Sequence, residues 1–276
     1  MAFICRSVNR NLGMGKAKER SNMDYFFHVG NAGVILKLEG QWVGIDVFTG
    51  REIKPYQPMP ETLEQKLLCD AGCPEIGLLV ITHNHRDHFH PQKVSAYLKT
   101  HSSALVLAGD DILSILAEAG VSASRFLKKE RLSDRDFVGR YGVLTLYLLS
   151  TEHMGNVYRD VRHYSVLLQY QGQALFVSGD AKPDRRLYGH LREYCGKLRV
   201  LIAPFPALGL PGARKCLLEY YRPEHIFLVH FPSPGEDEEG WIKSTVESCR
   251  KMGGELPYPV YCLEAEERYP LHLAAD

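Results

Sequence analysis

The segment His83-Asn84-His85-Arg86-Asp87-His88 places three histidines and an aspartate within six residues. It follows Gly77-Leu78-Leu79-Val80-Ile81-Thr82, a short apolar run that reads as a buried strand. A strand of this kind ends where its sheet ends, so the polar cluster is predicted on a loop at the edge of a rigid scaffold. Imidazole nitrogen and carboxylate oxygen suit zinc, iron or manganese. His83 and His85, two residues apart, can point the same way from extended backbone, while Asp87 and His88 follow as the chain turns toward a helix. One metal can take the first pair and a second metal the other. Histidines also cluster on loops without function, but this many ionisable groups repel one another and resist burial unless something pairs them.

Three further candidate ligands recur in the same setting. His153 follows Val143-Leu144-Thr145-Leu146-Tyr147-Leu148-Leu149, Asp180 follows Ala174-Leu175-Phe176-Val177-Ser178-Gly179, and His230 follows Ile226-Phe227-Leu228-Val229. Strands that each finish near a ligand imply one sheet edge collecting side chains from distant segments.

This arrangement resembles the metallo-β-lactamase-fold hydrolases. The motif His83-x-His85-x-Asp87-His88, followed by His153, Asp180 and His230, looks like the full ligand set of that family, and Asp46 in Trp42-Val43-Gly44-Ile45-Asp46 matches its early aspartate at a strand end. The resemblance runs from about Tyr25 to the C-terminus. It implies that His83, His85 and His153 hold one metal, that Asp87, His88 and His230 hold the second, and that Asp180 bridges them. Asp87 and Asp180 are thereby expected to take part in the chemistry as well as in ligation. Asp46 is expected to orient a ligand imidazole from behind. The implied fold is α/β (α+β), a four-layer αββα sandwich of two mixed β-sheets flanked by helices. The implied cofactors are two divalent ions, Zn2+ first, with Mn2+ or iron as alternatives. Two such ions can share a hydroxide and lower its pKa to near neutral. Hydrolysis of an ester, lactone, thioester, amide or phosphodiester fits this machinery equally well.

Local patterning agrees with alternating strands and helices. Residues 31–38 and 41–46 read as a hairpin around Glu39-Gly40, and Ser165–Gln169 with Ala174–Ser178 as a second across Gln171-Gly172. Further strands are predicted at Leu105–Ala108, Val200–Ala203 and Val260–Glu264. Helices are predicted at Glu61–Ala71 before Gly72, Pro91–Thr100, Asp110–Ala119, Arg185–Leu198, Arg214–Tyr221 and Trp241–Lys251. Residues 1–22 are polar and basic without periodicity and are expected to be a flexible tail. Residues 23–276 are expected to form a single domain.

Several side chains are weaker candidates. Asn84, Arg86, Asn156 and His163 are candidate substrate contacts. Glu152 and Asn156 flank His153 and could orient a ligand or meet substrate. Arg162-His163-Tyr164-Ser165 could line the pocket as acid or anion binder, with strand-edge packing as the default. His90 precedes a proline-initiated helix and is expected to cap it or lie on the surface. His28 is expected to be structural. The basic run Lys182, Arg185, Arg186, Arg192, Lys197 and Arg199 reads first as a solvated helix face, and second as a holder of phosphate or carboxylate.

The 276 residues balance 33 basic against 33 acidic side chains. Zero net charge and the acidic stretch Glu236-Asp237-Glu238-Glu239 beside His230 argue against nucleic acid as partner. No apolar stretch approaches a membrane span or a secretory signal. The seven cysteines form no framework, which points to reduced thiols in cytoplasm. The leading expectation is therefore a cytoplasmic metal-dependent hydrolase of a small molecule, with homodimerisation left open. A phosphodiesterase or nuclease is the second reading, and a di-iron redox or binding protein the third. β-Lactamase activity itself is not expected, because those enzymes are exported.

Overall fold

Two residues with positive φ, Glu39 at 49° and Gly40 at 76°, close the first hairpin with the twist that adjacent antiparallel strands require. Gln171 at 45° and Gly172 at 75° repeat the device. The structure, a computed structural model, describes residues 23–69, 75–252, 254–271 and 273. The expected tail, residues 1–22, and the expected helix stop at Gly72 lie outside the described residues.

The first hairpin pairs strand β2 (Gly33–Leu38) with β3 (Gln41–Ile45). They belong to a six-stranded sheet with β1 (Asp24–Gly30), β4 (Leu78–Ile81), β5 (Leu105–Ala108) and β14 (Glu267–Leu271), in the order β14-β1-β2-β3-β4-β5. The second hairpin pairs β9 (Tyr164–Tyr170) with β10 (Gln173–Val177) in an eight-stranded sheet. Its other strands are β6 (Lys129–Arg131), β7 (Phe137–Tyr141), β8 (Leu144–Ser150), β11 (Val200–Pro204), β12 (His225–Val229) and β13 (Val260–Tyr261). The order is β13-β12-β11-β10-β9-β8-β7-β6. Both sheets are mixed: β3-β4-β5 and β10-β11-β12-β13 run parallel, and the hairpin strands antiparallel.

Strands of the parallel regions are apolar on both faces because both faces are covered. Leu36, Val43 and Ile45 meet Leu146, Val166, Leu175 and Ile202 between the sheets, where Phe26 stacks on Phe227 at a centroid distance of 4.0 Å. The outer face of the six-stranded sheet carries Ile35, Leu79, Ile81 and Val106 against helices α1 (Glu61–Leu68), α2 (Pro91–Thr100) and α3 (Asp110–Glu118). The outer face of the other sheet carries Leu167, Phe176, Leu201 and Leu228. Against it lie α4 (Arg185–Tyr194), α5 (Pro206–Gly209), α6 (Pro211–Tyr220) and α7 (Trp241–Arg250). Three apolar layers therefore separate four structural layers, the αββα sandwich expected from the resemblance. Among the described residues no helix is long and apolar enough to cross a membrane.

The boundaries differ from the expectation in instructive places. The helix expected over Arg185–Leu198 stops at Tyr194, because Cys195 is extended and Arg199 N–H already bonds Ala174 O on the neighbouring strand. The strand expected over Val260–Glu264 is confined to Val260–Tyr261. Strands β14, β6 and β7 were not expected at all. Glu267, Arg268 and Tyr269 are only half-buried and Pro270 is exposed, so β14 carries no apolar alternation. Lys129-Glu130-Arg131 is equally polar. Both β6 and β14 are edge strands, where charge and proline discourage further pairing.

Candidate metal centre

The ends of the two sheets are stitched together at one place. Tyr164 N–H donates to Thr82 O at 3.0 Å, joining the end of β4 to the start of β9, and His83 and His163 form a bridge there. His153 bridges Ala181, with Met154 N–H on Asp180 O at 2.8 Å and Lys182 N–H on Glu152 O at 2.8 Å. Gly179, at φ 53°, has its missing Cβ position only 2.7 Å from His163 Nε2, so a side chain there would block the approach that delivers Asp180. His230 N–H donates to Asn31 O at 3.1 Å, tying β12 back to the other sheet.

These contacts bring together all seven side chains expected as ligands. Two groups form, His83/His85/His153 and Asp87/His88/Asp180/His230, each offering donor atoms within 4.8 Å of one another. In the second, His88 Nε2 lies 3.3 Å from Asp180 Oδ2, and His230 Nε2 lies 3.2 Å from Asp87 Oδ2 and 3.3 Å from Asp180 Oδ2. Four donors at the ~2.1 Å typical of zinc bonds to nitrogen or oxygen stand roughly 3.4 Å apart along a tetrahedron edge. The observed spacing fits one small cation. Asp180 Oδ2 also lies 3.6 Å from His153 Nε2, so the carboxylate stands between the two groups.

Hydrogen bonds fix which nitrogens face inward. Asp46 Oδ1 accepts from Thr82 N–H at 2.9 Å, while Oδ2 accepts from Thr82 Oγ1 at 2.6 Å and from His88 Nδ1 at 2.8 Å. Having donated its proton to Asp46, Thr82 Oγ1 accepts from His83 Nδ1 at 2.9 Å. His153 Nδ1 donates to Met154 O at 2.6 Å. The Nε2 atoms of His83 and His153 and Asp180 Oδ1 are buried without any hydrogen-bond partner. Orphaned acceptors of this kind are costly unless a cation meets them, so the donor set fits divalent metal.

Electrostatics point the same way. Burial would lower His88 and His230, but the Asp180 carboxylate, with Asp46 at His88 and Asp87 at His230, raises both, His88 well above the usual imidazole value and His230 to about 9. Burial would raise Asp87, but the hydrogen bond with His230 and the neighbouring imidazole charges hold it at about 2. Burial would likewise raise Asp180, which His230 and His88 nevertheless hold well below the usual carboxylate range. Burial, reinforced by neighbouring imidazoles, pushes His83 and His85 down.

The weaker candidates fall outside these groups. Asn84 and Arg86 are exposed, and Arg86 packs on Gly50, whose N–H bonds Arg86 O at 2.7 Å. Asn156 is exposed in a short turn. His163 is buried behind the centre, 4.9 Å between ring centroids from His83, with Nδ1 on Thr151 Oγ1 at 2.8 Å, and burial pushes it down to about 3. His90 occupies the cap position of α2, yet its ring makes no cap bond. His28 is buried between Glu264 O at 2.8 Å and Asn31 O at 2.9 Å. In the basic run, Arg185 pairs with Glu219 at 2.6 Å, and Lys182 and Arg186 face Glu152.

Sequence reasoning missed Asn31, Thr82, Tyr56 and Tyr158. Asn31 Nδ2 donates to Asp87 O at 2.9 Å and thereby steadies two ligands, Asp87 by side chain and His230 by main chain. Tyr56 sets its ring edge against His230 at 4.0 Å, and Tyr158 lies 5.0 Å from the rings of His85 and His153. Burial and the negative charge of Asp180 and Asp87 push the Tyr56 phenol up to about 12, so it remains an O–H donor at neutral pH. Thr82 immediately precedes His83, a signal that was visible. The tyrosines sit in aperiodic loops.

No protein-family model matches the chain, and no curated protein matches it in sequence. Solved structures do match in fold. The metallo-β-lactamase fold protein YhfI from Bacillus subtilis is 10% identical, with a TM-score of 0.60 over 90% of this chain and 99% of its own. Igni18, a metallo hydrolase from Ignicoccus hospitalis, is 17% identical, with a TM-score of 0.54 over 92% of this chain and 100% of its own. CmlA, a diiron β-hydroxylase from Streptomyces venezuelae, is 16% identical, with a TM-score of 0.60 over 91% of this chain. The match covers 54% of CmlA, so this chain spans about half its length.

Proposed function

We propose that this chain, which has the metallo-β-lactamase fold, is a dinuclear metal-dependent hydrolase of a small-molecule ester, lactone, thioester or phosphoester. The observation that carries the reading is the convergence of seven donors in two groups around Asp180, with the Nε2 atoms of His83 and His153 left unpaired. Two divalent ions held there supply Lewis acidity toward a carbonyl or phosphoryl oxygen and a nucleophilic water near neutral pH. His83, His85 and His153 would hold one, and Asp87, His88 and His230 the other, with Asp180 shared. Zinc is the favoured ion for this nitrogen and oxygen set, with manganese and iron as alternatives.

The chain's own residues supply geometry and protons. Asp46 holds Thr82 and His88, and through Thr82 it holds His83, so one carboxylate orients a ligand in each group. Tyr56 keeps a phenolic proton beside the centre and can donate it to an oxygen on which negative charge develops. Its hydroxyl makes no hydrogen bond among the described residues, which leaves it free for that use.

A panel of chromogenic esters, lactones, thioesters and phosphodiesters, assayed with metal analysis on the same preparation, tests the reading. Two zinc ions per chain with turnover on one class supports it. A metal-supplemented protein that retains no transition ion refutes it. Two irons with redox activity and no hydrolysis would favour a second reading, a di-iron oxidation catalyst, which rests on the fold shared with CmlA. A phosphodiesterase acting on nucleic acid has less support, because the charge is balanced and acidic residues follow His230. A cytoplasmic setting and a small-molecule partner complete the proposal.

A further inference from the structure

Two clefts lined by described residues contrast beside the metal centre, one without ligands in its lining and one with them. A cleft of about 1150 Å³ reaches Thr151 and His163 and is lined by six basic and five acidic side chains, with none of the seven donors on its walls. The other, about 410 Å³, has His153, Asp180 and His230 in its lining. The remainder of that lining is apolar or neutral, and among the described residues it includes no lysine or arginine, with Asp180 as the sole acid.

Its walls are aromatic and rigidly placed. Trp241 lies 5.3 Å from Phe205, which stacks on Phe231 at 5.1 Å. The main chain of Trp241 is anchored by Asp237, which accepts from Trp241 N–H at 2.8 Å and Ile242 N–H at 3.0 Å. Tyr56 and Tyr158 rest on ligand imidazoles from two sides. Large apolar side chains left in water are informative when they gather in one place. Of the seven such residues described, Tyr158 at 44%, Leu210 at 54% and Trp241 at 42% exposure all line this cleft.

We propose that this cleft seats an uncharged, apolar alkyl or aryl group of the substrate between Tyr56, Tyr158, Phe205, Leu210 and Trp241, beside the bond cleaved at the metal centre. The proposal rests on the hydrolytic reading for its chemistry, but the seat itself is a property of the walls. The volume lies within the range of pockets that enclose small organic ligands. A charged group in this seat meets no counter-ion other than those the ligands themselves provide. Neutral acyl chains or rings therefore enter, and carboxylate- or phosphate-bearing ones do not.

Two measurements test this. The first follows 4-nitrophenyl acetate, butyrate and hexanoate on the zinc-loaded protein. Each buried methylene should raise kcat/KM about fourfold. The 4-nitrophenyl monoester of adipic acid, which carries a terminal carboxylate, should lose that gain. A flat series, or equal turnover of the carboxylate-ended ester, overturns the proposal. The second needs no turnover. The chain has two tryptophans, Trp42 and Trp241, so Trp42→Phe leaves Trp241 as the reporter. Hexanophenone, an aryl ketone that cannot be hydrolysed, should quench it saturably, and Leu210→Ala should weaken that binding about tenfold. Quenching that never saturates overturns the seat. Saturable quenching together with no turnover on any ester, lactone, thioester or phosphodiester of the panel overturns the hydrolytic reading and leaves the seat standing.

Discussion

The two donor groups differ in how each is held and in what it contains without a cation. His83, His85 and His153 form a set without a carboxylate, in which burial and mutual repulsion push His83 and His85 down. Asp87, His88, Asp180 and His230 form an ionic set, in which the carboxylates stay charged and the imidazoles hold protons well beyond their usual range. A cation entering the second group would displace imidazole protons from His88 and His230, whereas one entering the first would meet His83 and His85 already pushed toward their neutral form. The lesson is that donors gathered from four strand ends can build two adjacent sites of different character when Asp87 and Asp180 both fall in one group.

The largest expected effect comes from removing the carboxylate that stands between the two groups. Asp180→Ala should abolish retention of both ions and turnover together, a loss exceeding the ~100-fold expected for an outer partner. If elemental analysis then finds one ion still held by the three histidines, the shared carboxylate is not shared. Asp46→Asn should weaken both sites by about 10–100-fold in metal affinity, since it touches Thr82 and His88 alike. Thr82→Val sharpens the contrast: by leaving His83 Nδ1 without its acceptor it should weaken the three-histidine site by about tenfold and spare the ionic one. Competition with a chromogenic chelator, resolved into two binding steps, reads all three.

Protons give a smaller but more discriminating signal. At pH 7 the ionic site should release at least one proton on binding metal and the three-histidine site fewer. Calorimetry in buffers of different ionisation enthalpy would expose equal release at both. The same imbalance affects stability. His230 is raised from ~6.5 unfolded to about 9 in the metal-free fold, so its contribution is complete below ~6.5 and is lost as pH rises through about 9. The metal-free protein should therefore melt at lower temperature at pH 10 than at pH 6, and metal should flatten that slope. The smallest effect is expected from Arg185→Ala with Arg186→Ala. Arg185 pairs with Glu219 at the surface, so metal content, Michaelis constants and melting temperature should all stay close to those of the unaltered chain.

The donors were legible in the sequence because each stands close behind an apolar strand, and strand ends are the most readable points of a sheet. What those donors lean on was less so. Asn31 acts through a side-chain bond to a residue 56 positions away, and nothing in the turn around it announces that partner. Tyr56 is placed by a bridge to Pro232, and Tyr158 by a short turn after His153; neither segment has a period to read. Strands β6 and β14 escaped for the opposite reason. Their polar edges are suited to staying unpaired, and that removes the alternation by which strands are recognised.

Three residues of the centre, Asn31, Asp46 and His230, hold φ angles of 46°, 51° and 61°, each immediately after its strand. Left-handed backbone is uncomfortable for a residue with a side chain, by about 1–3 kcal/mol where nothing local compensates. A glycine would sit there at ease but could neither ligate nor orient. The fold thus accepts torsional discomfort at the points where chemistry is wanted. Above about pH 9, where the imidazole no longer pairs with Asp87 and Asp180, ion-free His230→Gly should melt no earlier than the unaltered chain while retaining less metal, setting durability and metal retention at odds in a single side chain.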